Sequence, residues 1–436
     1  MFAKHSQNSV MRDTVGLCFN GFRFAMPLVW LLLTLPITAL ENTGVHPSEE
    51  STSGALAPSL AQVSRAIALS AGYLERACGP DGKFAYKVDI GSGKESHSYD
   101  IIRHAGAMYA LAMANGSHPD PQAVAALIRA AKFLREDYIG AGIRAGQKVV
   151  WSQPLTENPS GRRFESRERY AELGGTGLGL VALASARKVA PQLVPIEELQ
   201  ALGRFVVFLQ RDDGSFVHKY WADTGAVSKW ESLYYPGEAA LGLIELYETD
   251  HSPEWLVAAG KALSYLAKSR TGIATVPADH WALIATAKLI PYCDKSGCSA
   301  SREELMRHAA QVCESILRDQ FKGSAAAGLD GAFDPTGRTA PTATRLEGLL
   351  ASLEFLPKSE LRERIRVAAG RGIAFLLRAQ IVFGPEAGGM PGAIIISARD
   401  FSQIRIDYVQ HALCAWLRYG QLFQPGEVIV ETYNRP

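Results

Sequence analysis

The chain has 436 residues, with 45 Lys and Arg against 44 Asp and Glu, and 47% of its residues are hydrophobic. The even charge balance excludes a basic field for nucleic acid, and the apolar content describes a globular protein with a large core. The length allows two or three average domains or one repeat architecture.

Residues 25–40 form an uncharged apolar run preceded by Lys4, Arg12 and Arg23 and closed by Glu41. Its shortness and basic flank predict a signal peptide or a short membrane anchor within residues 1–41, while Pro27 and Pro36 argue against a buried helix. Residues 42–58, rich in Ser, Thr, Gly and Pro, read as a linker. Residues 59–424 then alternate two kinds of segment, and 425–436 is a tail.

Amphipathic segments are expected over 59–77, 121–137, 196–211, 253–268, 301–321 and 359–379. Each is followed by a Gly- or Ala-rich helix that opens on a polar cluster. The clusters hold Asp100, Arg103 and His104, then Glu172, then Tyr235 and Glu238, then Asp279 and His280, then Thr342, Arg345 and Glu347, and last Asp407 and His411. Helices so rich in small residues pack tightly on others, not on solvent. The unit is a two-helix hairpin in the size range of helical arrays, repeated six times. Three turns share the form Asp-Gly-x-Phe, at Asp81, Asp213 and Asp330, where Gly permits a positive φ and Phe anchors the loop.

Six hairpins with these turns and polar inner-helix starts resemble the all-α (α/α)6 toroid of six-hairpin glycosidases, polysaccharide lyases, glucuronyl epimerase C-terminal domains and, more distantly, terpenoid cyclases and prenyltransferases. The resemblance spans about residues 59 to 420, and implies inner helices whose N-termini meet at one mouth of a central cavity. Helix N-termini present free backbone donors to anions there. A carbohydrate-active enzyme, a non-catalytic saccharide-binding protein and a prenyltransferase-like enzyme stay open on that fold. The absence of an Asp-x-Asp-Asp box argues against cyclisation.

For hydrolysis the expected pair is Glu238 and Asp100, with Asp279, Glu347 and Asp407 as substitutes. For elimination or epimerisation His104 or Tyr235 moves the proton, while Arg103 and Arg345 hold a substrate carboxylate. Glu172, His280 and His411 complete the substrate-binding set, beside Gly174, Gly175 and Thr176, which leave room for a close approach. Each cluster also has a plainer reading, since Asp at a helix start is a cap and a buried His is often a core group.

Trp221 and Trp230 are expected to face sugar rings. Arg144, Lys148, Arg162, Arg163, Arg167, Arg169, Lys219 and Lys229 suggest a basic rim suited to an acidic saccharide. Asp407, His411 and Cys414 share a helical face, but their spacing does not match the zinc set of prenyltransferase-like toroids, so neither metal nor cofactor is expected. Cys293 and Cys298 flank a turn that an oxidising compartment would allow to close as a disulfide.

Overall fold

The computed structural model describes residues 58–155, 169–222, 224–294, 297–323, 328–396, 398 and 400–423. All its helices belong to the unit Gly54–Pro436. The apolar run at 25–40, the linker before Pro58, Arg162, Arg163, Arg167 and the tail lie outside the described residues. Among the described residues no helix is long and apolar enough to cross a membrane.

Twelve α-helices are found among the described residues: α1 (Leu60–Ala77), α2 (Ile101–Ser117), α3 (Pro121–Phe133), α4 (Leu173–Val189), α5 (Ile196–Phe208), α6 (Tyr235–Asp250), α7 (Pro253–Ser269), α8 (His280–Leu289), α9 (Arg302–Arg318), α10 (Thr339–Ser352), α11 (Glu360–Ala379) and α12 (Ile406–Leu422). Odd-numbered helices form the outer ring. Ser59 starts α1 with a capping box to Gln62, and Ser301 and Ser359 cap α9 and α11. Even-numbered helices form the inner ring, each packed on the next, and α12 returns to α2.

Small residues permit that inner ring. A methyl group at Gly177 would lie 2.8 Å from Cα of Ala239, and one at Gly242 would lie 2.6 Å from the Gly177 carbonyl oxygen, so α4 and α6 meet backbone to backbone.

The outer seams repeat one device. At Gly82, Gly214, Gly331 and Gly388 the backbone has φ near +90° (85, 93, 89 and 91°) and lies against the carbonyl of Arg129, Lys261, Arg371 or Leu69 on the next outer helix. One turn earlier on that helix, a side chain from the end of the preceding outer helix donates to a second carbonyl. Cys78 Sγ reaches Ala126 O at 3.4 Å, while Nε2 of Gln210, Gln320 and Gln380 reaches Ala258, Ala368 and Ala66 O at 2.9, 2.8 and 2.9 Å. Phe84, Phe216 and Phe333 are buried behind the three Asp-Gly-x-Phe turns, and Met390 fills the same place behind Gly388. This fourth copy lacks both Asp and Phe, so the motif did not reveal it. It joins the last hairpin to α1 and closes the ring.

Among the described residues the connections add three two-stranded antiparallel ribbons to the expected all-helical fold. Their strands are β1 (Lys87–Asp89), β2 (Ile139–Ala141), β3 (Lys148–Val150), β4 (Tyr170–Glu172), β5 (Lys219–Trp221) and β6 (Gln403–Arg405), paired β1 with β6, β2 with β3 and β4 with β5. Lys87 faces Arg405 and Glu172 faces Lys219. Strands β4 and β6 run straight into α4 and α12, which fixes Glu172 and Arg405 at the mouth end of those helices. Helix α10 begins at Thr339, a turn before the expected Thr342. Thr342 Oγ1 instead accepts from Phe333 N at 3.1 Å and pins the third Asp-Gly-x-Phe turn.

Candidate active site

The N-terminal ends of the inner helices surround a cavity of about 200 Å³. Asp100, Arg103, Tyr235, Glu238, Asp407, His280 and His411 line it, together with Tyr234, Trp281, Thr344 and Gln410.

One wall alternates in charge. Asp100 caps α2 by accepting from Ile102 N at 3.0 Å and also holds Arg103 in an ion pair. Arg103 Nε donates to Asp407 Oδ2 at 3.2 Å, and Arg103 Nη1 to the Tyr86 hydroxyl at 2.8 Å. Arg405 grips Asp407 with two bonds of 2.6 and 2.8 Å. Burial works to raise the Asp407 carboxyl, yet the hydrogen bonds and charge of Arg405, aided by Arg103, hold it below its ordinary value. Asp407 is therefore an ionised, fully engaged anchor between the first and last hairpins.

A second wall carries a carboxyl held well above the ordinary carboxylate range. Glu238 sits in the first turn of α6, where burial, then the nearby Asp279, Asp100 and Glu172, push it up to about 8. Its Oε2 has no hydrogen-bond partner among the described residues. Behind it Glu172 is raised by burial, opposed by Lys219 at 3.9 Å, and is hydrogen-bonded by Tyr235. Trp230, 51% exposed, meets Tyr235 edge to face with ring centroids 5.6 Å apart.

Two imidazoles form the third wall. His280 opens α8, meets Tyr234 edge to face at 4.9 Å and faces His411 at 5.4 Å with an interplanar angle of 80°. Burial, then the neighbouring His411 and Arg345, hold His280 well below its ordinary pKa, so the ring is neutral. His411 Nδ1 lies 2.6 Å from Glu347 Oε1, a contact that fixes the ring's orientation. Burial raises Glu347 and His411 opposes that. Among the described residues both ring nitrogens of His280 and Oε2 of Glu347 are buried without a hydrogen-bond partner. Each such atom left unpaired costs roughly 1–3 kcal/mol, so three in one cluster are an unusual concentration of open polar groups.

Several expected residues are elsewhere. His104 points away from the cavity into the seam between α2 and α3, where its Nδ1 meets the Tyr99 hydroxyl at 2.8 Å and its Nε2 the Ala130 carbonyl at 3.0 Å. Burial pushes it down to about 4, and the packing of Phe84 and Phe133 around it makes it a core group. Asp279 does not line the cavity; it accepts from Ala282 N at 3.0 Å as the cap of α8 and from Arg270 at 2.8 Å. Burial raises Asp279 and Arg270 opposes it. Arg345 donates to Pro341 O at 3.0 Å on its own helix and stands behind His280, not on the cavity wall. Trp221 lies in β5 against Tyr170 at 5.9 Å.

Among the described residues, three members of the basic rim are engaged within the fold. Lys148 pairs with Glu198 at 2.7 Å, Arg144 stacks on Phe208 at 4.5 Å, and Lys219 lies 3.4 Å from the Tyr170 ring centre. Cys414 is buried and is not among the donors that meet His411, which come from α8 and α10. Cys293 and Cys298 carry free thiols in hydrogen-bonding contact.

Arg405, Tyr86, Thr344 and Gln410 were not singled out in the sequence reading. Arg405 had one usable signal, its place two residues before Asp407 in a strand entering a helix. The others are apolar or neutral in type and become site residues only through the ring.

No family model matches the chain, and no curated protein matches it in sequence. Solved structures do match. The cellobiose 2-epimerase of Bacillus thermoamylovorans aligns at a TM-score of 0.63 and 10% identity, over 84% of this chain and 99% of that one. A D-mannose isomerase aligns at 0.60 and 11%, over 85% and 99%. The α-1,6-mannanase of Salegentibacter aligns at 0.55 and 12%, over 84% and 99%, and a variant of it with two consecutive aspartates replaced is inactive. The chain has the (α/α)6 toroid fold of these proteins.

Proposed function

We propose that this chain is a carbohydrate-active enzyme that moves a proton on a sugar, as an epimerase or isomerase, with His280 and His411 as its acid–base pair. The carrying observation is that these two imidazoles face each other across one wall of the cavity, one neutral and unpaired and the other oriented by Glu347. A base for a carbon-bound proton must be unprotonated and within reach of it. His280 meets the first condition through its burial. It takes a proton from the carbon beside the sugar carbonyl, while His411, supported by Glu347, exchanges a proton with the oxygen or the opposite face. Return to the other face gives an epimer, and return to the former carbonyl carbon gives an isomer.

Support also comes from what the carboxylates are doing. Hydrolysis needs one protonated and one free ionised carboxyl. Glu238 fits the first role, and this favours glycoside hydrolysis as a second reading. Asp100 and Asp407, however, are both engaged by arginine. The consecutive aspartates of this chain, Asp212 and Asp213, follow the end of α5 outside the cavity wall.

The test is incubation with a panel of aldoses, ketoses and short oligosaccharides in D2O. Deuterium entering the carbon beside the carbonyl, with exchange cut at least about a hundredfold in H280N and H411N, is the expected result. Release of reducing ends without deuterium would transfer the assignment to Glu238. Saccharide binding with neither reaction would make the chain a binding module.

Export is part of this reading, with residues 25–40 serving as signal or anchor on account of their basic flank and apolar run. N-terminal sequencing of the protein from fractionated cells checks it. An intact N-terminus in the cytosolic fraction would end it.

A further inference from the structure

Three side chains from three inner helices converge at the cavity wall. His280 comes from the first turn of α8, Glu347 from α10 and His411 from α12, and their donor atoms lie within 4.8 Å of one another. His280 is 1% exposed and Glu347 fully buried, and both carry donor atoms without a hydrogen-bond partner among the described residues. The neighbouring Asp407 is closer to the surface and its oxygens are taken by Arg405 and Arg103, which leaves it outside the set.

We propose that His280, Glu347 and His411 form a binding site for a divalent transition-metal ion of the zinc class, and that occupancy by the metal switches off proton transfer at the same imidazoles. Two imidazole nitrogens and one carboxylate suit zinc and its neighbours, whereas calcium and magnesium favour sets made of oxygen. Bonds of about 2.0–2.1 Å in a tetrahedron place donors roughly 3.3–3.4 Å apart. From separations of up to 4.8 Å the three groups need only small side-chain rotations to close on an ion. The backbone can stay still, since each residue sits on a helix of the closed ring.

Both histidines also line the cavity. A fourth coordination position would open toward it and accept water or a sugar hydroxyl. The lone pair that binds the metal is the one that accepts a proton, so a given chain can do one or the other. The switch rests on the proton-transfer reading above; the binding site does not.

The experiment uses the full chain, stripped with chelator and titrated with Co2+ while its visible d–d absorption is followed. One Co2+ per chain is expected, displaced by Zn2+. H280N and E347Q should each weaken binding by at least about tenfold, while the double substitution C293S/C298S leaves it unchanged. No absorption with folded wild-type protein, or a signal that survives H280N and E347Q, would overturn the site. So would a signal lost only with the cysteines. X-ray absorption of the zinc-loaded wild type decides independently of any variant's folding: imidazole scattering supports the site and thiolate scattering removes it.

Solvent-deuterium exchange by the stripped protein, stopped by stoichiometric Zn2+, is the result expected for the switch. Exchange that is unchanged by bound metal, or that requires it, overturns the switch while the site stands. Absence of exchange in both states overturns the switch and the proton-transfer reading together, and the Co2+ titration still decides the site.

Discussion

His104 and His280 are both fully buried imidazoles in the first turn of an inner helix, and they differ in what meets their nitrogens. In the seam between α2 and α3 both nitrogens of His104 have partners, the Tyr99 hydroxyl and the Ala130 carbonyl. At the cavity wall neither nitrogen of His280 has one among the described residues. Burial lowers the pKa of both, so desolvation does not tell them apart. Satisfaction does. A buried imidazole whose hydrogen bonds are complete is part of the packing, and one left open toward a cavity is available for chemistry.

The strongest way to break this contrast is through turnover. H280N should lower proton exchange by about 10²–10⁴ with little change in stability, because it gives up no protein hydrogen bond. A loss of stability with activity per folded molecule retained would reverse the two roles. E347Q tests the oriented partner: kcat should fall by roughly 10–100-fold with KM nearly unchanged, and the pH–rate profile should move, which a purely structural change would not cause.

H104N should do the opposite. It strands the Ala130 carbonyl or the Tyr99 hydroxyl in the seam and costs roughly 1–3 kcal/mol, measured by denaturant unfolding, with kcat intact. Its penalty should depend on pH. The folded His104 titrates near 4, below its ordinary 6.5, so the unfolded chain binds more protons between these values. The stabilising contribution is complete above about 6.5 and fades as pH falls toward 4.

The smallest effect sharpens the contrast with a carboxyl. Glu238 is raised from 4.5 to about 8, so the folded chain holds a proton that the unfolded chain has lost across this window, and stability declines as pH rises through it. E238Q should be more stable than the wild type at pH 8, by roughly 2–5 °C in Tm, and nearly equal to it near pH 4.5. A Tm difference independent of pH would mean that Glu238 is ionised in the folded protein.

Periodicity made the ring legible and proximity did not. The six hairpins, the three Asp-Gly-x-Phe turns and the mouth-facing ends of α2, α6, α8 and α12 follow from spacing and residue size along the chain. The pairing of His411 with Glu347, 64 residues away, and its edge contact with His280 depend on helix rotation about the ring. A position i, i+4 on one helix, as with Asp407 and His411, says only that two groups share a face. In the structure Asp407 turns to the arginines of α2 and β6, while His411 turns to α8 and α10. The same rotation directs His104 outward to α3, away from the cavity.

The Gly388 turn and Gln380 seat the last hairpin on α1, and the final helix supplies Asp407 and His411. During synthesis from the N-terminus, Arg103 therefore waits for a partner, Asp407, that emerges some three hundred residues later. Until α12 arrives, the earlier hairpins form an open arc with Arg103 lacking Asp407 and Glu347 lacking His411. The cavity wall that carries Asp407 and His411 is thus the last part of the ring to be completed, and a ribosome that stops short of α12 releases a chain without it.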